Sequence, residues 1–270
     1  MSSGDKQLIQ KALYAACSLE LLHTASLVHD DVVDEADERR GQQSVNASYT
    51  NRIAILVGDY ILSASLKAIS ECGDQRMTNG IARLGLTLSE GEVRQIQNIS
   101  DKAFSIDAYY DVIGKKTAAL FEACCYLGAL SVGASEENTA KACHFGHDLG
   151  IVFQIRDDIF DYSDSKEVGK PTGKDMKEGK LTLPALFVLN DPDCPENITA
   201  IALKIKNLTA TKEEMDCLVD YTKQHGGINY AQQAMEEYSQ RAMIFIEGIQ
   251  DERLKASLKA YLDYVAGRSF

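Results

Sequence analysis

Apolar side chains recur at intervals of three and four through five long stretches of the chain, which predicts helices over 8–30, 52–70, 77–99, 109–133 and 139–162. Several of these stretches carry apolar residues on more than one face, as helices inside a large bundle do, and no segment alternates in the way a strand would. The fold class that follows is all-α. All four prolines lie between Pro171 and Pro195, so the first 170 residues lack the residue that most reliably stops a helix. Breaks fall at "DEADERRGQQS", "ECGD", "SDKAFS" and "VGASEEN", and at "SDSKEVGKPTGKDMKEGKLTLP", a basic loop long enough to be functional. Shorter helical patterns follow, one opening with Thr211 and Glu214 at capping-box spacing. No repeat or low-complexity segment divides residues 1–270, and a single domain is expected.

With 270 residues, 45% of them hydrophobic, the chain can bury a sizeable core. A formal charge of −12 argues against nucleic acid and anionic lipid as partners, so any phosphate must be drawn by local Lys and Arg or by metal ions. The seven cysteines are scattered, without zinc spacing, and read as reduced thiols of a cytoplasmic protein. Cys143, His144 and His147 lack a second ligand pair nearby and are expected to pack. The apolar runs look too interrupted to span a bilayer, and "MSSGDKQ" has no signal-peptide pattern, which predicts a soluble protein rather than an integral membrane one.

"LVHDDVVDEADERRG" places six carboxylates in nine residues at the end of an apolar helix. Asp30 and Asp34 share a helical face, roughly 6 Å apart, with Asp31 beside them. "QIRDDIFDYSD" repeats the geometry with Asp157 and Asp161, Asp158 alongside and Gln154 one turn earlier. Such repulsion is relieved most simply by hard divalent cations, and magnesium, which completes its shell with water and phosphate oxygens, points to a diphosphate ligand. Basic side chains follow both clusters: Arg39 and Arg40 after the first, Lys170, Lys174, Lys177 and Lys180 after the second, with Lys116 and Thr117 in "IGKKTAALF" between them. Arg suits bidentate phosphate contacts and Lys point-charge ones, so the set reads as a cage for two diphosphates.

From about Leu19 to Leu189 the chain resembles the trans-isoprenyl diphosphate synthase family, most closely its long-chain, octaprenyl-type branch. The carriers, in the family's order, are "ELLHTASLVHDDVVDEADERRG", "VGDYILSAS", "EGEVRQIQN", "KKTAALFEA", "GIVFQIRDDIFDYSD" and "GKPTGKDMKEGKLTLP". Class I terpene cyclases share only the first acidic motif, so chain elongation is favoured over cyclisation. The resemblance implies a large helical bundle of the isoprenoid synthase type around a central cavity, and a homodimeric prenyltransferase. This enzyme would condense farnesyl or geranylgeranyl diphosphate with several isopentenyl diphosphates into a long all-trans polyprenyl diphosphate, for example octaprenyl diphosphate for quinone side chains. Asp30 and Asp34, with Asp31 alongside, would hold two magnesium ions on the allylic diphosphate, and Asp157 with Asp161 a third, Asp158 completing the catalytic aspartates. Arg39, Lys116, Lys170 and Lys180 would grip that diphosphate, His23 and Arg40 would bind isopentenyl diphosphate, and Thr117 and Gln154 would surround the carbocation. Family members carry an earlier Gly-Lys-x-x-Arg segment with no counterpart here, so the isopentenyl site is expected to be incomplete and the family's N-terminal helices absent. The rival readings are a non-catalytic subunit partnering an active synthase and a short-chain geranylgeranyl diphosphate synthase. Product length is expected from Leu22, Ala25 and Ser26, small or slender side chains just before Asp30 that would leave a tunnel open past four isoprene units.

Overall fold

The computed structural model describes residues 3–162 and 173–267. The expected helices are present: α1 (Ser3–Val33), α3 (Asn51–Glu71), α4 (Gln75–Ser100), α5 (Ile106–Ile113) running through a π-helical turn (Gly114–Ala118) into α6 (Ala119–Ser131), and α7 (Glu136–Phe160). A short α2 (Val45–Ser48) precedes α3, and a single turn, α8 (Lys174–Lys177), stands where the sequence suggested loop. The later helices are α9 (Leu183–Leu189), α10 (Glu196–Lys206), α11 (Lys212–Gln224), α12 (Gly227–Glu247) and α13 (Glu252–Gly267). The helices start where polar side chains replace missing backbone partners. Thr50 accepts from the Ile53 N–H, Ser105 from Ala108, and Thr211 with Glu214 forms the full capping box that their spacing predicts.

The described residues gather into two compact units, Met1–Leu88 with Ala119–Gly146, and Ser89–Ala118 with His147–Phe270. In the first, Ala15, Leu19 and Leu22 of α1 pack with Ile69, Met77, Ile81 and Leu127. The Ser65 hydroxyl donates to the Ser18 carbonyl at 2.7 Å, so α3 lies close against α1 where small residues face each other. In the second unit Ile151 and Ile155 of α7 pack among Ile113, Leu183, Leu186, Ile205 and Leu218. Lys206 caps the end of α4 from inside this core, its ammonium donating to the carbonyls of Asn98, Asp101 and Ala103, each at 2.8 Å.

Two features differ from the sequence expectation. The first is a two-stranded antiparallel hairpin, β1 (Glu38–Arg39) and β2 (Gln42–Gln43), too short to show alternation. The second is α3, which by length and composition alone is apolar enough to cross a membrane. Its apolar residues run round the helix, and Ile53, Leu56 and Tyr60 remain exposed.

Candidate active site

The first acidic cluster closes α1. Asp31 is 4% exposed, and its Oδ1 accepts from Arg39 Nε at 2.8 Å and from the guanidinium Nη2 at 2.7 Å. Asp30 is half-buried and Asp34 exposed. The aspartate between them is thus held by a cation, while the two that share a face reach toward solvent. Arg39 stands on β1, and Arg40 and Gly41 form the hairpin's two-residue turn with φ of +54° and +75°. Positive φ at both centres is the I′ turn that fits strand twist. At Arg40 it costs roughly 1–2 kcal/mol. The X-Gly pair at the centre is the one sequence signal for this hairpin.

His23, seven residues before Asp30 on α1, is half-buried, and burial pushes its imidazole below the ordinary value. The Glu20 charge opposes this and the charges of Arg40 and Arg39 add to it, so His23 is a neutral donor and acceptor in the field of the two arginines. It lies on a cavity of about 340 Å³ lined by Ala12, Ala15, Ala16, Leu19, Glu20 and His23 of α1 with Leu120, Cys124 and Gly128 of α6. Leu22 and Ala25 do not line that cavity. Both are at most 2% exposed, and Leu22 belongs to the packed core. The open space beside His23 lies along the face of α1 that carries Ala12, Ala15, Ala16 and Leu19. Ser26 is half-buried and its hydroxyl donates to the His23 carbonyl at 2.9 Å.

The second cluster closes α7 with three different environments. Asp157 is exposed. Asp158 is 2% exposed, its Oδ2 accepting from the Tyr109 hydroxyl at 2.6 Å and its Oδ1 from Gln154 Nε2 at 2.8 Å. Asp161 accepts from the backbone N–H groups of Lys174 at 3.0 Å and Asp175 at 3.2 Å, so it fastens the chain where it returns into α8. Burial pushes Asp158 well above the carboxylate range, with the Asp175 charge adding to it. Burial likewise raises Asp161, against the backbone hydrogen bonds that hold it down. Asp175 is pushed up to about 7 by burial and by the charge of Asp161.

Lys116 and Thr117 lie in the π-helical turn, a geometry that is frequent at functional sites in proteins. Gly91 of α4 packs against it: a Cβ there would come within 2.8 Å of Lys115 Cβ and 3.0 Å of the Lys116 nitrogen. Lys116 forms an ion pair with Glu92 on α4, and Lys115 pairs with Asp111 and with Glu90 at 3.5 Å. The Thr117 hydroxyl donates to Gln154 Oε1 at 2.6 Å. Lys180 bonds Glu178 at 2.6 Å, and Lys174 is 3.4 Å from the same carboxylate. Lys177 is exposed, and Lys170 lies outside the described residues. The expected diphosphate ligands Arg39, Lys116 and Lys180 therefore already hold carboxylate partners, which a diphosphate would have to replace or share. Tyr109, Glu92, Asp175 and Glu178 escaped the sequence reading, because each acts through a partner distant in sequence or on another turn.

Among the described residues no three Asp, Glu, His or Cys side chains converge into a ready-made metal cage, and Cys143, His144 and His147 form none. The carboxylate pairs still fit magnesium, which is usually held by one or two carboxylates and takes its remaining oxygens from water and phosphate. All seven cysteines are free thiols.

Comparison with known proteins shows the family to which the chain belongs. Residues 1–222 match the Polyprenyl synthetase family. Members of that family bind diphosphates with divalent metal ions. The chain is 34% identical over 263 residues to heptaprenyl diphosphate synthase component 2 of Bacillus subtilis, covering 97% of this chain and 74% of the relative. It superposes on the crystal structure of geranylgeranyl pyrophosphate synthase from Bacteroides thetaiotaomicron with a TM-score of 0.86 and 44% identity, covering 97% of this chain and 86% of the other. For a decaprenyl diphosphate synthase from Rhodobacter capsulatus the TM-score is 0.87 at 31% identity, with 98% and 84% covered. The chain belongs to the polyprenyl synthetase family and is a prenyltransferase with the all-α isoprenoid synthase fold.

Proposed function

We infer that this prenyltransferase extends an allylic diphosphate such as farnesyl or geranylgeranyl diphosphate with several isopentenyl units to a long-chain all-trans polyprenyl diphosphate. The observation that carries the reading is the pair of aspartate sets, each with its middle carboxylate buried and bonded while its leading carboxylate is more open. Asp30, Asp34, Asp157 and Asp161 would hold about three magnesium ions, which neutralise charge gathering on the departing diphosphate. Arg39, Lys116 and Lys180, with Lys170, add hydrogen bonds that strengthen as that charge develops. His23 and Arg40 take the isopentenyl diphosphate, Arg40 from its strained turn. Thr117 commits its proton to the hydrogen bond with Gln154, so its lone pairs are what it offers an allylic carbocation. Residues 1–270 act as one polyprenyl synthetase domain in this reading, which the family match across both units supports.

A homodimer is supported by the exposed Ile53, Leu56 and Tyr60 of α3, an apolar stripe that a second copy would cover. A cytoplasmic location is supported by the free thiols. A shorter, geranylgeranyl product is the second reading, favoured by the 44% identity to the Bacteroides synthase and by the packed surroundings of Ala25. The test is magnesium-dependent release of diphosphate on mixing the chain with farnesyl and isopentenyl diphosphates, followed by chromatography of the extracted products. Products beyond four isoprene units support the long-chain reading, twenty carbons the shorter one, and no condensation under any condition overturns both.

A further inference from the structure

We propose that Glu92 is a positioning residue that holds Lys116 as an exchangeable counter-ion, yielding it to a bound diphosphate and reclaiming it when inorganic diphosphate leaves. The inference rests on the prenyl-transfer reading above and deepens it.

The two lysines of the π-helical turn are adjacent in sequence and tied down differently. Lys115 pairs with Asp111 and with Glu90 at 3.5 Å, and Arg94 stands 3.8 Å from Asp111 and 4.0 Å from Glu90. Four charges of alternating sign thus close a ring between α4 and α5, and Lys115 is locked within it. Among the described residues Lys116 pairs with one carboxylate, that of Glu92. The two side chains are 21% and 16% exposed, so the pair is shielded from water without being sealed off. The other Glu92 oxygen faces Gln95 Nε2 at 3.4 Å, a contact within α4 that does not depend on the lysine. Gly91, between the two glutamates, lets the turn seat directly on α4, since a Cβ there would come within 2.8 Å of Lys115 Cβ and 3.0 Å of the Lys116 nitrogen. The turn is therefore a fixed base, and the Lys116 arm is the part left able to change partner.

The next residue, Thr117, bonds Gln154 at 2.6 Å, which places this turn beside α7 one turn before the second aspartate set, and all of these residues lie in one compact unit. A diphosphate that takes Lys116 must part it from Glu92, so the strength of that pair is subtracted from the affinity of any diphosphate that uses the lysine. The subtraction matters most for the leaving group. When the allylic C–O bond breaks, both electrons go to the oxygen, so the diphosphate gains one unit of negative charge and the carbon becomes a cation. The released inorganic diphosphate is then the more highly charged ligand, and basic side chains alone would hold it fast. A carboxylate that competes for one of them lets it go.

Glu92→Gln keeps the shape of the side chain and removes the competitor. In calorimetric titration with magnesium present, inorganic diphosphate should bind this variant about fivefold more tightly than the parent, the size that a partly shielded ion pair gives. Its inhibition constant in steady-state condensation should fall by about the same factor. Damage to packing would weaken binding instead, so the direction of the change separates positioning from a merely structural role. In a Lys116→Met background, Glu92→Gln should alter the affinity by less than about twofold, because the effect passes through the lysine. Unchanged or weaker binding of inorganic diphosphate by Glu92→Gln overturns the inference, and so does an equal tightening in the Lys116→Met background, which would be direct repulsion by Glu92. If the parent binds inorganic diphosphate but does not condense the substrates, the prenyl-transfer reading fails, while the tightening in Glu92→Gln still supports the exchange of Lys116.

Discussion

The two aspartate sets have the same spacing and opposite electrostatics. In the first, the buried Asp31 is matched by the Arg39 guanidinium, so the charge it brings into α1 is cancelled by a residue eight positions away on the hairpin. In the second, the buried Asp158 bonds, among the described residues, to a phenol and a carboxamide, and burial also raises its neighbours Asp161 and Asp175. The middle carboxylate of the first set is therefore paired with a cation, and that of the second bonds to neutral donors. A shared motif does not imply a shared local environment, because what surrounds each carboxylate comes from elements far along the chain.

The largest effect is expected at the leading aspartates, where the two sets should behave alike. Asp30→Ala or Asp157→Ala should lower turnover by at least about 10²–10³-fold, since each removes charge stabilisation realised in the transition state. Circular dichroism should show unchanged helix content. Near-parental turnover in either variant would remove that residue from the metal-binding set.

A smaller effect separates the two middle aspartates. Arg39→Ala strands the Asp31 carboxylate, which is only 6% exposed, whereas Arg39 itself is about one-third exposed. Solvent therefore softens the loss, and denaturant titration should show a destabilisation of about 2 kcal/mol. Tyr109→Phe, which removes a neutral partner from Asp158, should cost about 1–2 kcal/mol. Equal and negligible effects would mean that neither pairing supports its cluster.

The pH dependence follows from the second set. Asp175 has a folded value of about 7 against an ordinary 3.8, so the folded state binds its proton more tightly than the unfolded state does. That contribution to stability is complete below about pH 4 and is lost as pH rises toward 7, in the absence of metal. Asp161 and Asp158 are shifted in the same direction. Asp74 works oppositely, since Arg76 and Lys11 hold its carboxyl far below the usual range, and its contribution is lost only as pH falls below the ordinary carboxylate value. Melting temperature of metal-free protein should therefore fall between pH 4 and 7, and the fall should shrink in Asp175→Asn. A rise over that window, shared by the variant, would contradict the assignment.

The smallest expected effect lies at the hairpin. Gly41 has φ of +75°, and Gly41→Ala should cost about 1 kcal/mol and weaken isopentenyl diphosphate binding through Arg40 without touching the second cluster. Titration calorimetry with isopentenyl diphosphate would show it.

These differences also mark how far the sequence could be read. The long helices were legible because periodicity is local, and so were the aspartate pairs, because a spacing of four on a helix dictates a shared face. Thr211 and Glu214 formed their capping box for the same reason. The hairpin was not legible, since two-residue strands carry no alternation and only Arg40–Gly41 hinted at it. Nor were the roles of the middle aspartates. Tyr109 is 49 positions from Asp158, and nothing local distinguishes its phenol from that of Tyr110 next to it. Ala25 shows the limit from the other side: a small, buried residue fits a tunnel wall and a tight helix contact equally well, and nothing in its local sequence separates the two.

We propose that both aspartate sets take up an allylic diphosphate through divalent cations. The decisive measurement is calorimetric titration of farnesyl diphosphate into the chain with and without magnesium, beside Asp30→Ala and Asp157→Ala. Binding in the roughly micromolar range is expected with magnesium, weakened by about tenfold or more without it and in either variant. Equal affinity with and without magnesium, unchanged in both variants, would contradict the assignment.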